Sequence, residues 1–155
     1  MKVRNLVLTL ALCFVGAGVC FADNANIGTW KLNEAKSKIP AGTPGIPKTV
    51  VCETVGDSLK VTTDGSDKDG KPTHTEWTGK FDGKDYPITG DPAQGSRSYK
   101  QVDDHTLTMV IKRGGKVITT GHIAVSADGK IRTVKLTTTD ADGKKVSSTS
   151  VYDRQ

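Results

Sequence analysis

Two patterns of apolar residues divide the chain. From Leu6 to Phe21, apolar and small residues run on without a charge. Beyond Ala22 no such block recurs. Apolar residues there come in short alternating stretches, and no window of helical length carries a stripe at i, i+3, i+4 and i+7. Leu107, Met109 and Ile111 share one side of a stretch whose other side holds Thr106, Thr108 and Lys112. Val117, Ile123 and Val125 share a side, and Val134 and Leu136 share theirs with Arg132 and Thr138. A period of two belongs to strands with one face buried.

The punctuation between these stretches is that of tight turns. Asp-Gly occurs at Asp64-Gly65, Asp69-Gly70, Asp82-Gly83, Asp128-Gly129 and Asp142-Gly143, and Gly114-Gly115 adds another. Glycine takes positive φ freely and aspartate tolerates it, so such pairs close hairpins. Between the turns the pattern predicts strands over 27–32, 48–55, 58–64, 72–82, 84–89, 96–102, 105–113, 116–126, 130–139 and 144–153. Strands joined by tight turns pair with their sequence neighbours, which favours an up-and-down meander over a Greek key. A long meander has two edges to hide, and closing on itself removes both. The expectation is an all-β, up-and-down antiparallel barrel of about eight to ten strands.

One segment breaks the rhythm. Asn33 to Pro47 carries Pro40, Pro44, Pro47, Gly42 and Gly45. Proline excludes helix over most of it, leaving room for one turn around Glu34–Lys38. It is a stiffened connection between the first two strands. It either crosses the mouth of the barrel or runs over the surface.

The apolar block at the start reads differently. Lys2 and Arg4 precede it, Ala22 closes it, and polar chain follows from Asp23. A positive start, an apolar middle and a small residue at the cut make a secretory signal. The block is shorter than the ~20 residues of a bilayer-spanning helix. Cleavage is expected after Ala22, with Gly18 a second choice. The alternatives are an uncleaved anchor and a lipoprotein acylated at Cys20, although Val19 before that cysteine is larger than the processing enzyme prefers. Residues 1–22 are therefore expected to leave, and residues 23–155 to form one exported domain, periplasmic or secreted.

Composition narrows the picture further. The chain carries 22 Lys and Arg against 17 Asp and Glu. Both signs are scattered, with no basic run interleaved with aromatics, so nucleic acid is not expected as a partner. Cys52 is the one cysteine left after processing. It sits in the apolar run Val50-Val51-Cys52, where a buried, inert thiol is expected. A monomer without a stable membrane span is expected.

Gly28-Thr29-Trp30-Lys31-Leu32 opens the domain and Val151-Tyr152-Asp153-Arg154 closes it. This pairing of ends resembles the calycin superfamily of lipocalins and intracellular fatty-acid-binding proteins. The resemblance implies that the first strand meets the last, that Gly28, Trp30 and Arg154 close the barrel, and that the interior holds a small molecule. Trp30 would plug one end with Arg154 across its ring, and Gly28 would leave room for the indole. Fatty-acid-binding proteins grip the ligand carboxylate with Arg-x-Tyr on the last strand. Matched on Tyr152, that arginine position is Ser150, and the helical lid of that family has no room in the Asn33–Pro47 connection. The resemblance therefore implies a lipocalin-like barrel without that carboxylate clamp; another cation could substitute, and Lys135 is the candidate if its face points inward.

Chemistry-bearing clusters are sparse. His74 and Glu76 share a strand face, but two ligands do not make a metal site. Asp67-Lys68-Asp69-Gly70 and Asp140-Ala141-Asp142-Gly143 echo the start of a calcium loop without its closing acid. Ser96 and the Ser147–Ser150 run lack nucleophile context. No enzyme activity, cofactor or metal is expected. The expected ligand wall is Trp77, Phe81, Met109, Ser150 and Tyr152, for a small apolar or amphipathic molecule. The competing reading is an envelope interaction domain with a filled barrel.

Overall fold

A computed structural model describes residues 24–155 apart from 42, 44, 68, 92, 94, 140 and 141. The expected leader, its cut and Cys20 lie outside the described residues. So do Gly42 and Pro44 of the long connection, Lys68 of one calcium-like loop and Asp140-Ala141 of the other.

The chain forms ten antiparallel strands, β1 (Gly28–Leu32), β2 (Pro47–Val55), β3 (Ser58–Ser66), β4 (Pro72–Gly79), β5 (Tyr86–Thr89), β6 (Ser96–Gln101), β7 (Thr106–Arg113), β8 (Lys116–Val125), β9 (Ile131–Thr139) and β10 (Lys145–Arg154). Each pairs with its sequence neighbours, and β1 pairs with β10, so the sheet is a closed up-and-down barrel. The seam places Trp30 opposite Arg154 and Leu32 opposite Tyr152. Closure removes both edges that an open meander would expose.

Side chains follow the alternation. Inward positions supply the core: Trp30, Val50, Cys52, Leu59, Val61, Trp77, Ile88, Tyr99, Leu107, Met109, Ile123, Val125, Val134 and Tyr152 are all buried. Val117 departs from the expected face. A bulge shifts the β7–β8 register between Ile111 and Lys112, which pairs Ile111 with Thr119 but Lys112 with Val117. The extra residue flips the alternation, and Val117 is left 51% exposed. Gly65 also departs. It lies within β3 opposite Pro47 rather than in a turn. A Cβ there would sit 3.1 Å from the Ile46 carbonyl oxygen.

The two ends of the barrel differ. At the end where β1 starts and β10 finishes, the interior is packed solid by Trp30, Leu59, Leu107, Ile123 and Val125. Arg154 seals this end. Its guanidinium lies 4.4 Å from the centroid of the Trp30 ring and donates to the carbonyls of Gly129, Ile27 and Ala25. Gly28 makes room for that guanidinium rather than for the indole. A Cβ at Gly28 would fall 2.6 Å from Arg154 Nη1.

At the other end β1 is too short to match β10, and the Asn33–Pro47 connection completes the wall. Asn33 caps a single 3-10 turn, Glu34–Lys36. Ser37 Oγ accepts from the Val151 N–H at 2.9 Å, and Lys38 exchanges both backbone hydrogen bonds with Thr149. At this end Gly45, Ile46 and Pro47 line the interior. The Tyr152 hydroxyl fixes the end of this strap by donating to the Pro47 carbonyl at 3.0 Å.

Candidate functional site

Against the strap lies an interior cavity of about 80 Å³. β7 and β9 give it an apolar wall of Met109, Ile111, Val134 and Leu136. Its other lining is polar: Arg97 and Tyr99 from β6, Arg132 from β9, and Ser150 and Tyr152 from β10. These residues reach the interior by simple parity. Arg97 faces Ile111 across the β6–β7 ladder, and Arg132 faces Tyr152 across the β9–β10 ladder.

Both arginines are held against phenol rings. The Arg97 guanidinium carbon lies 5.9 Å from the Tyr99 ring centroid, and that of Arg132 lies 5.9 Å from the Tyr152 ring centroid. Arg97 Nη1 also donates to the Tyr99 hydroxyl at 3.3 Å. Among the described residues, no carboxylate lies within ion-pair distance of either guanidinium, and none lines the cavity. The Nε of Arg97 and the Nε of Arg132 are buried without a hydrogen-bond partner, and the buried Ser150 hydroxyl faces that of Tyr152. Arg132 is 3% exposed and Ser150 1%. Burial pushes the Tyr152 hydroxyl up to about 12, against the opposing pull of Arg132.

Of the five ligand residues expected from sequence, Met109, Ser150 and Tyr152 are brought to the cavity. Trp77 and Phe81 are not. They form an aromatic cluster with Tyr86 and Tyr99 toward the packed end, with ring centroids 4.8 to 6.2 Å from Trp77. The Trp77 Nε1–H is spent on the Arg97 carbonyl at 2.7 Å. Tyr99 is the partition, since one side meets this cluster and the other faces the cavity. Ser150 leaves β10 without an inward arginine, but β6 and β9 supply one each. Lys135, the substitute considered from sequence, is exposed and lies opposite His122 on the outer face. Arg132 was readable, because alternation puts it with Val134 and Leu136. Arg97 had no such signal, since Ser96 to Gln101 contains one apolar side chain, Tyr99.

The remaining polar candidates have ordinary roles. His74 lies on the outer face, with Nδ1 2.6 Å from Asp64 Oδ1 and Nε2 3.8 Å from Glu76 Oε1. The hydrogen bond to Asp64 raises its pKa. Among the described residues, no group of three or more His, Cys, Asp or Glu side chains is arranged to hold a metal. Asp67 Oδ1 accepts from the backbone of Asp69 and Lys71, as in a turn. Cys52 is buried, and burial raises its thiol pKa. An open groove of about 370 Å³ runs outside the barrel between Lys38–Pro40 and Ser147–Thr149.

No protein-family model matches the chain, and no curated protein matches it significantly in sequence.

Proposed function

We propose that this is an exported, non-enzymatic, lipocalin-like protein that holds a small amphipathic molecule inside its barrel. The carrying observation is the asymmetry of the interior. One end is packed solid, while the other keeps a cavity with one apolar and one polar wall. A barrel evolved only as a rigid platform gains nothing from buried polar groups without partners, which cost stability. Barrel mouths and interiors are common ligand sites. Fold alone does not choose the ligand.

The cavity size constrains the reading. About 80 Å³ is well below the ~300 Å³ typical of drug-sized ligands. It accepts a molecule of few heavy atoms, or the head of a longer one whose tail lifts the strap. The same figure supports a second reading, an envelope interaction domain acting through its outer face with a nearly filled barrel. Native mass spectrometry of protein taken from its own envelope separates the two. A retained small molecule supports binding, and bare protein at the mass of residues 23–155 favours the interaction domain. The same spectrum tests export, because a chain beginning at Met1 or carrying acyl mass at Cys20 contradicts cleavage after Ala22.

A further inference from the structure

We propose that the cavity is an anion site, in which Arg97 and Arg132 grip the carboxylate or small oxyanion head of the ligand from two sides. The proposal rests on the small-molecule reading above and sharpens it to a chemical class.

Three observations converge on it. Two guanidinium groups share one interior cavity, and no acidic side chain among the described residues lines it. Buried charge is ordinarily paired, because desolvating an unpaired ion is among the costliest things a fold can do. The tyrosine faces beneath the two cations offset only part of that cost. Secondly, the buried atoms at the cavity without partners include two charged donors, Nε of Arg97 and Nε of Arg132. The missing partner is an acceptor, and a carboxylate or oxyanion brings several acceptor sites at once. Thirdly, the donors come from β6 and β9, while Met109, Ile111, Val134 and Leu136 offer apolar surface beside them. That is the layout for a charged head and a short hydrocarbon tail. Tyr152 acts as a positioning residue. Its hydroxyl holds the strap at Pro47 while its ring backs the Arg132 guanidinium.

The test uses butanoate, butan-1-ol and inorganic phosphate as probes, at ionic strength fixed with a bulky sulfonate salt. The readouts are the Nε–Hε resonances of the arginines and the thermal midpoint. Butanoate or phosphate should move two Nε–Hε resonances saturably, and butan-1-ol should bind roughly tenfold or more weakly than the anion. A phosphate response without a butanoate response assigns a free oxyanion, and the reverse assigns a carboxylate. Arg132→Met should lose anion binding by a similar factor, yet melt no lower than wild type without ligand, because it removes an uncompensated charge. Arg97→Gln provides the same comparison if Arg132→Met does not fold. Equal binding of butan-1-ol and butanoate, unaffected by either variant, overturns the anion site and leaves the small-molecule reading standing. If no probe binds and native protein carries no small molecule, both fall.

Discussion

At the residue scale, the clearest tests are positions where one atom decides the outcome. Gly129 and Gly143 sit at φ +70° and +79°. Nothing approaches a Cβ at Gly143, so valine there meets only the backbone penalty of the left-handed region. Gly129→Val and Gly143→Val should each cost about 1 kcal/mol or more, read from chemical denaturation. If both unfold with wild type, the turns are not as described. Tyr152 supplies a second test, with its sign set by burial. The hydroxyl is raised from 10.0 to about 12 in the folded protein. A raised acid keeps its proton in the native state while the unfolded chain gives it up. Stability tied to Tyr152 is thus complete below pH 10 and is lost as pH rises through about 12. Ultraviolet titration should show a late-ionising phenol that vanishes in Tyr152→Phe, together with a flatter alkaline stability profile. A titration unchanged by Tyr152→Phe would remove the burial argument. What sequence revealed at this scale followed parity and turn chemistry. Arg132 was legible on the face of Val134 and Leu136, whereas Arg97 was not, because its strand has too few apolar neighbours to mark a face. The aromatic cluster is ambiguous for a general reason: aromatics dominate cores as readily as binding walls, and only the ring contacts and the cavity lining show Trp77 and Phe81 on the far side of Tyr99.

At the element scale, strand existence was legible almost throughout, because Asp-Gly turns and period-two alternation agree with each other. The departures occur where backbone pairing overrides the local signal. Gly65 follows an aspartate but lies in β3 against the strap, and Val117 changes face across a bulge. The course of the strap was undetermined, since proline excludes helix without saying where an extended chain goes. Its anchor is the part of β10 that β1 fails to reach. The outer face of the β3–β4 hairpin offers a test of pairing between elements. His74 on β4 is hydrogen-bonded to Asp64 on β3, which raises the histidine. A raised histidine contributes its stabilisation fully below the unfolded-state value and loses it as pH climbs through the folded one. An NMR titration should therefore place His74 above an ordinary histidine, and Asp64→Asn should bring it back down. A His74 that titrates identically in both proteins would show that the pair is absent in solution.

At the scale of the whole molecule, one seam differs from all the others. Nine of the ten ladders join sequence neighbours, and only β1 to β10 joins the two ends of the barrel. Local ladders form after short loop closures, whereas the seam must close a loop spanning nearly the whole barrel. Closure is then expected late, after the meander has assembled, and Arg154 is where this can be read. Its side chain ties β10 to Ala25 and Ile27 before β1 and to Gly129 before β9, while covering Trp30. Arg154→Met should destabilise by about 2 kcal/mol, from lost charge-assisted hydrogen bonds and the ring contact. If the seam is unformed in the transition state, that loss appears almost wholly as faster unfolding, with the folding rate little changed. Stopped-flow kinetics across a denaturant series measures both limbs. Acrylamide quenching should remain low in wild type, since Trp30 and Trp77 are both fully buried. Folding slowed in proportion to the lost stability would instead place the seam in the nucleus, and the barrel would then close before its hairpins are complete.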